Sequence, residues 1–348
     1  MSERAARLVL AVLVAAMIVG VCLVRLPGFW GDGATYYTMA HSLAEDGDLR
    51  YEARDVFRAR REFPSGPQGL FLKRASGGLR WDGAGGLPWV HRVTDDDKRI
   101  YFAKAFTYPV AAAPLVALMG TRGLLVTNAL SLGLALVLAY FELRTRASPV
   151  WALAAAVSLV LATVAPLYLV WPTPELFTLA LVAAGLFAWR RERPMWAAVL
   201  LGIAIYTKPY NLLLALPLGV EPFLGAGRAS WWPALRESLR RGLAMSAVVI
   251  GLFAVNAAIT GELNYQGGER KTFYGRFPEE AAADGQRVTF GNSGFWMTTD
   301  QLGPAVEGEE GVAASARTGP PRPRREIEVS FLRNLYYFWV GRFGGALA

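Results

Sequence analysis

The chain has 348 residues, 53% of them hydrophobic and only 18% charged, with a formal net charge of +8. Soluble domains carry about a quarter charged residues, so this composition argues against a solvated globule. The basic residues sit in short clusters between apolar runs, where anionic headgroups and the positive-inside bias account for them; no nucleic-acid partner is expected. The single cysteine, Cys22, excludes an intramolecular disulfide and a paired-cysteine metal site.

The first uncharged run is residues 8–24, seventeen residues between Arg7 and Arg25. No small-x-small cleavage site ends it, so it reads as an uncleaved anchor rather than a signal peptide. Further uncharged runs span nineteen residues between Arg122 and Glu142, twenty-eight between Arg146 and Glu175, and twenty between Arg241 and Glu262. Crossing the hydrocarbon takes about 20 apolar residues. The predicted fold is an all-α polytopic membrane protein, one domain over 1–348, with about eight membrane segments. A large non-cytoplasmic loop, residues 26–104, follows the first helix.

That loop opens with a predicted helix over 34–44. Its Tyr36, Tyr37, Ala40, Leu43 and Ala44 share one face, which suits a helix lying in the membrane interface. His41 falls on its polar side and reads as solvated. The rest of the loop, with glycine turns at 76–78 and 83–86, shows no pattern for a compact fold, and Asp95-Asp96-Asp97 reads as a solvated run.

Apolar segments follow at 105–120 (broken by Pro109 and Pro114), 123–141, 150–170, 174–189, 195–207, 211–224 and 242–260. A second polar loop covers 261–330. The final apolar stretch, Phe331–Ala348, stops without a charged flank, which reads as a truncated C-terminus. No internal repeat is visible, which weighs against a transporter built from two related halves.

The basic clusters at Arg144/Arg146, Arg190-Arg191-Glu192-Arg193 and Arg236/Arg240/Arg241 are expected on the cytoplasmic side. With the N-terminus inside, 26–104, the turn before Glu175, Lys208-Pro209 and 261–330 then lie outside. The count fails by one crossing if 105–120 spans fully. Either that segment is re-entrant, which irregular backbone allows only against protein or a watery cavity, or Arg144/Arg146 face outward.

Asp32, in Trp30-Gly31-Asp32-Gly33, emerges a few residues past the first span, at the depth of lipid phosphates. A carboxylate there can act as general base or metal ligand, or simply cap the following helix. Lys104 and Lys208 sit at the edges of apolar segments, either snorkelling to the surface or binding phosphate. Glu175 interrupts an uncharged stretch at a cost that usually has a functional reason.

Trp30-Gly31-Asp32-Gly33-Ala34-Thr35-Tyr36-Tyr37 and Ala40-His41-Ser42-Leu43-Ala44-Glu45-Asp46-Gly47-Asp48-Leu49 resemble the first-loop signature of the GT-C superfamily. These membrane glycosyltransferases, of the protein-mannosyltransferase and aminoarabinose-transferase kind, use polyprenyl-phosphate-linked sugars. The stretch from Tyr101 through Lys104 and Tyr108 to Pro109 is similar to the family's lysine-bearing second segment. Trp171-Pro172-Thr173-Pro174-Glu175 is similar to its outward Pro/acidic turn. Thr207-Lys208-Pro209-Tyr210-Asn211 and Asn264 to Thr272 look like subfamily features.

The resemblance implies Asp32 as the catalytic base, with Lys104, Tyr108, Glu175, Lys208, Arg270 and Lys271 binding substrate. It implies a polyprenyl-phosphate sugar donor, an unidentified envelope acceptor, a plasma-membrane location and an outward-facing site. Many relatives carry two adjacent acids where this chain has Asp32 followed by Gly33. No cofactor is therefore firmly implied, and a divalent metal stays open. Two rival readings are a transporter or flippase of a lipid-linked glycan, and an inactive truncated remnant. A transporter is expected to carry ionisable groups in mid-span, whereas most charges here flank the spans.

Overall fold

The computed structural model describes residues 1–26, 28–63, 66–75, 79–82, 89–92, 99–224, 231–266, 269–274, 290–291 and 294–295. All lie within one compact unit, Met1–Trp296. The expected apolar stretch 331–348, the Asp95-Asp96-Asp97 run and most of the second polar loop fall outside the described residues.

The first span is α1 (Glu3–Leu23), whose N-cap Ser2 accepts a hydrogen bond from the Ala5 amide. It is followed by α2 (Asp32–His41), a π-helical turn at Ser42–Asp46 and α3 (Ala53–Glu62). Strands β1 (Gln68–Ala75), β2 (Leu79–Asp82), β3 (Trp89–Arg92) and β4 (Arg99–Phe102) complete the first loop. Next come α4 (Thr107–Met119), α5 (Thr121–Leu143), α6 (Pro149–Leu161) and α7 (Glu175–Arg190). The remainder is α8 (Pro194–Thr207), α9 (Leu212–Leu224), α10 (Trp231–Thr260) and strands β5 (Glu269–Tyr274), β6 (Phe290–Gly291) and β7 (Gly294–Phe295).

The chain is mostly helical, but the all-α expectation fails in its loops. Strands β4, β1 and β5 form an antiparallel sheet in that order, tying the second polar loop to the first. On β1, Leu70 and Leu72 are buried on one face, while the Lys73 side chain meets Thr260 at the end of α10, and the Phe71 amide donates to Thr35 Oγ1 of α2. Because both faces are covered, the apolar/polar alternation that marks a half-exposed strand is blurred here.

Among the described residues, α1, α5 and α10 are long and apolar enough to cross a membrane. The apolar stretch of α5 is 67% buried inside the protein, against 17% for α1 and 6% for α10. Leu8, Val12, Val19, Leu243 and Ile250 consequently lie bare. In water such surface costs about 25 cal/mol per Å²; against lipid it costs nothing, and the chain reads as a membrane protein. Helix α5 is the hub, packed by α1, α4, α6 and α7. Small residues permit the close crossings: a Cβ on Gly133 would lie 3.0 Å from Val14, and one on Gly202 3.1 Å from the Met245 carbonyl.

Glu3 at the start of α1 pairs with Arg144 at the end of α5, while Arg122 at the start of α5 bonds the Val21 carbonyl at the end of α1. The two helices are therefore antiparallel. Helix α4 has 13 residues, about 20 Å, short of the ~30 Å hydrocarbon. It reverses into α5 at Gly120, whose φ of 58° favours glycine, and a Cβ on Gly123 would collide with the Leu115 backbone at 2.2 Å. The predicted span at 150–170 divides into α6 and a 3-10 turn at Ala165–Val170. Thr163 bonds the Val160 carbonyl and the Ala165 amide at the break, and Pro166 has no amide to continue a helix.

The largest departure concerns α2. It does not lie in the interface with one polar face, since every residue from Gly33 to Ser42 is buried. Helix α4 covers one side and β1 another.

Candidate active site

Four charged side chains named from sequence meet at one end of the bundle as two ion pairs. Gly31, with φ 57° and ψ −122°, turns the chain so that Asp32 opens α2 in its first helical position. No side-chain bond caps the helix, so Asp32 is not the N-cap; its carboxylate instead meets Lys104 Nζ at 2.6 Å. An acid in a first turn is favoured by the helix dipole. The Lys104 ammonium also lies 4.3 Å from the centre of the Phe71 ring, a cation–π contact supplied by β1. One third of the Asp32 side chain is exposed against a tenth of Lys104, so the carboxylate is the more open partner.

The second pair is Glu175, first residue of α7, with Lys208, which ends α8 ahead of Pro209; Nζ and Oε1 are 3.1 Å apart. Glu175 Oε2 is buried with no hydrogen-bond partner among the described residues, as are Thr173 Oγ1 and the Tyr206 hydroxyl. Leaving such a group unsatisfied costs about 1–3 kcal/mol. Hydroxyls of Thr107 and Thr207 lie 2.7 Å apart, joining the start of α4 to the end of α8 and drawing the two pairs together.

Tyr36 lies between the pairs, 1% exposed. Burial first, and then the charges of Asp32 and Glu175, push its phenol well above the ordinary value. Its ring meets Tyr108 edge-on at 5.6 Å. Tyr108 is fully buried and donates its hydroxyl to Asn128 Oδ1 at 2.9 Å, while the Asn128 amide donates to the Tyr168 and Trp171 carbonyls. Tyr108 thus shapes the site by packing. Trp171 stacks on Trp30, and a Cβ on Gly33 would lie 3.2 Å from its ring. A second acid beside Asp32 would press on that indole, a local reason for glycine there.

Arg270 and Lys271 lie on β5, in register with Lys73 and Leu72 of β1; their side chains fall outside the description. Lys73 itself is fully buried, donating to Thr260 Oγ1 and the Asn264 carbonyl, and burial pulls its ammonium down to about 8. Among the described residues no three His, Cys, Asp or Glu side chains gather as a metal-binding group.

His41 is not the solvated residue expected from its helical face; it is 6% exposed. Nδ1 meets Glu45 at 2.9 Å and Nε2 meets Thr121 Oγ1 at 3.1 Å. Thr121 in turn bonds Glu62, which also accepts from Tyr37. A carboxylate only accepts, so the Thr121 proton goes to Glu62 and His41 Nε2 donates to Thr121. The threonine proton is thereby committed, which removes it as a nucleophile with His41 as base. Burial pushes the Glu45 carboxyl up, but the contacts with His41 and Arg58 outweigh this and hold it below its usual range.

Sequence reading missed Tyr36, Trp171 and Asn128 as structural partners of the site, and the burial of His41 and Lys73 elsewhere. Asn128 carried a usable signal: an amide inside an apolar run must find partners. No family model, curated protein or solved structure matches the chain.

Proposed function

We propose that the chain is a GT-C-type membrane glycosyltransferase, moving a sugar from a polyprenyl-phosphate donor to an envelope acceptor with inversion. The observation that carries this reading is the gathering of two carboxylate–ammonium pairs at one end of apolar helices. A water-soluble sugar and a lipid tail can be handled together only at such a boundary. In the proposed topology the N-terminus is cytoplasmic, the site faces outward across the plasma membrane, and about eight segments enter the bilayer, with α4 turning back partway.

In the resting state each ammonium is held by a carboxylate. An arriving donor phosphate competes for Lys104 and Lys208, and Lys104 leaves Asp32 for it. The acceptor hydroxyl oxygen then bonds to the anomeric carbon as the carbon–oxygen bond to phosphate breaks. The hydroxyl proton passes to Asp32, and the electron pair leaves with the polyprenyl phosphate. The lysines stabilise that developing charge in a partly dehydrated setting, where such contacts exceed their strength in water. Arg270 and Lys271 are the further cations of this reading.

The deciding experiment incubates purified full-length protein with a panel of polyprenyl-phosphate sugars and follows release of free polyprenyl phosphate. Release with at least one donor, abolished in Asp32→Asn, supports transfer. Donor binding without release from any sugar, together with movement of intact donor between vesicle leaflets, would replace it with the flippase reading.

A further inference from the structure

The far end of α2 holds a second constellation. Ten residues at 1.5 Å each put His41 about 14 Å along the helix from Asp32. Beside it a cavity of about 470 Å³ opens between the end of α1, the end of α3 and the α4–α5 turn. Its lining includes Arg25, Leu26, His41, Glu62, Met119 and Arg122. That volume falls in the ~300–1,000 Å³ range of small-molecule sites.

Charge in the cavity is uneven. Arg122 Nη1 donates to the Val21 and Val24 carbonyls, closing the end of α1 and fixing the guanidinium in place. Its Nε and Nη2 make no hydrogen bond among the described residues. Arg25 is exposed and makes no ion pair among them. The one lining carboxylate, Glu62, is engaged by the Thr121 and Tyr37 hydroxyls. Two guanidiniums therefore line the cavity with one carboxylate, whose Oε2 takes both hydroxyls, so the lining carries a surplus of positive charge.

The surroundings are apolar. Met119 lines the cavity, and the neighbouring Leu23 and Leu118 are 78% and 81% exposed. This is where α1 leaves its apolar span, the depth at which lipid headgroups meet protein cations. One guanidinium held in place (Arg122) and one open (Arg25) beside bare leucines match a molecule with an anionic head and an apolar tail, and guanidinium forks suit phosphate oxygens.

We propose that this cavity binds the headgroup of an anionic phospholipid, with Arg25 and Arg122 on its phosphate and its acyl chains along Leu23, Leu118 and Met119. The site is separate from the Asp32–Lys104 pair and does not depend on the transfer reaction. Bound lipid bridges the ends of α1 and α5 and so steadies the anchorage of α2 through His41 and Thr121.

The test uses the full chain in a neutral detergent with three probes: phosphatidylglycerol, phosphatidylcholine of the same acyl chains, and inorganic phosphate. Retained lipid is counted by native mass spectrometry, and the unfolding temperature is followed as each probe is added. Phosphatidylglycerol is expected to be retained and to raise the unfolding temperature, whereas the other two do neither. Arg25→Gln should weaken phosphatidylglycerol binding about tenfold or more, the loss of one charge-assisted contact. Its lipid-free unfolding temperature should match wild type, because Arg25 is exposed. Arg122→Lys, which keeps the charge but loses the fork, should fall between the two. Equal retention of both lipids, an undiminished Arg25→Gln, or phosphate acting as well as lipid would each overturn the proposal. So would Lys104→Gln weakening phosphatidylglycerol as much as Arg25→Gln, since the lipid would then be sitting in the active site.

Discussion

The two ends of the helix bundle handle charge in opposite ways. At one end Glu3 meets Arg7 and Arg144, Arg190 meets Glu142, and Arg241 meets Glu221 and Glu237. All of these side chains but Arg241 are at least 30% exposed, two pairs join neighbouring turns of one helix, and Arg241, at 12%, also reaches the Leu218 carbonyl. At the other end Asp32 and Lys104 are 33% and 10% exposed and Glu175 and Lys208 27% and 22%. Near them in the chain Glu175 Oε2, Thr173 Oγ1 and the Tyr206 hydroxyl are buried without a partner among the described residues. The basic end pairs its charges among its own side chains. The three unpartnered groups at the opposite end are of a kind ordinarily hydrogen-bonded when buried.

The largest effect expected from this contrast is in turnover. Asp32→Asn should lower sugar transfer by about 10²–10⁴-fold, the range for a lost acid–base group, with the unfolding temperature little changed. Glu142→Gln, at the basic end, should leave transfer within a few-fold of wild type. Comparable losses from the two substitutions would mean that the ends do not differ in function.

Next in size are the ammonium groups. Lys104→Gln and Lys208→Gln should each weaken donor binding or slow transfer about tenfold or more, while the Arg variants keep part of the function because charge persists. Measuring donor affinity and turnover separately distinguishes ground-state binding from stabilisation of the leaving phosphate. If both Gln variants bind and turn over normally, the lysines only anchor helix ends.

What the sequence made legible follows from the range of the interactions involved. Spans α1, α5 and α10 are announced by uncharged length, a local property. Asp32, Lys104, Glu175 and Lys208 stand out in the sequence by their positions beside apolar runs, but their pairing does not. Each pair joins distant elements, and nothing local specifies which carboxylate meets which lysine. His41 was misplaced for the same reason. Its helix shows one apolar face, yet His41 itself is covered by Thr121 at the start of α5, eighty residues away, and by Glu45 of the following turn. Lys73 gave no local sign of burial either, because the partners that accept its protons, Thr260 and Asn264, lie far along the chain.

That buried lysine provides a pH test confined to the site end. Its folded value of about 8 lies below the 10.5 of an exposed lysine, so the unfolded chain binds more protons between those values. Stability should therefore rise as pH increases from about 8 to 10.5. Lys73→Met, which removes the titrating group, should flatten that rise in denaturation midpoints measured across the range. An unchanged profile in the variant would assign the rise to other groups.

A comparable stability effect, independent of pH, is expected at Asn128. Its amide donates to the Tyr168 and Trp171 carbonyls and its oxygen accepts from Tyr108. Asn128→Leu leaves those groups unpaired in a dry interior and should cost about 1–3 kcal/mol, read from unfolding in mixed detergent.

The smallest effect belongs to the basic end, and its smallness is itself diagnostic. Arg190 and Glu142 are 52% and 32% exposed and approach to 3.2 Å. Exposed pairs of this kind contribute roughly 0–1 kcal/mol, because water screens them and two long side chains must be held still. A double-mutant cycle with Arg190→Gln and Glu142→Gln should give a coupling energy in the lower half of that range, fading further with added salt. The same cycle on Lys208 and Glu175, at 22% and 27% exposed, should give a larger coupling that salt diminishes less. Removing Lys208 alone takes away the only ion-pair partner Glu175 has among the described residues, so the single substitution there should cost more than the pair's own coupling. At the basic end each single substitution should cost no more than the coupling. Equal couplings with equal salt dependence would show that the site-end pair is as well solvated as the surface one, and a dehydrated setting for the leaving phosphate would lose its physical basis.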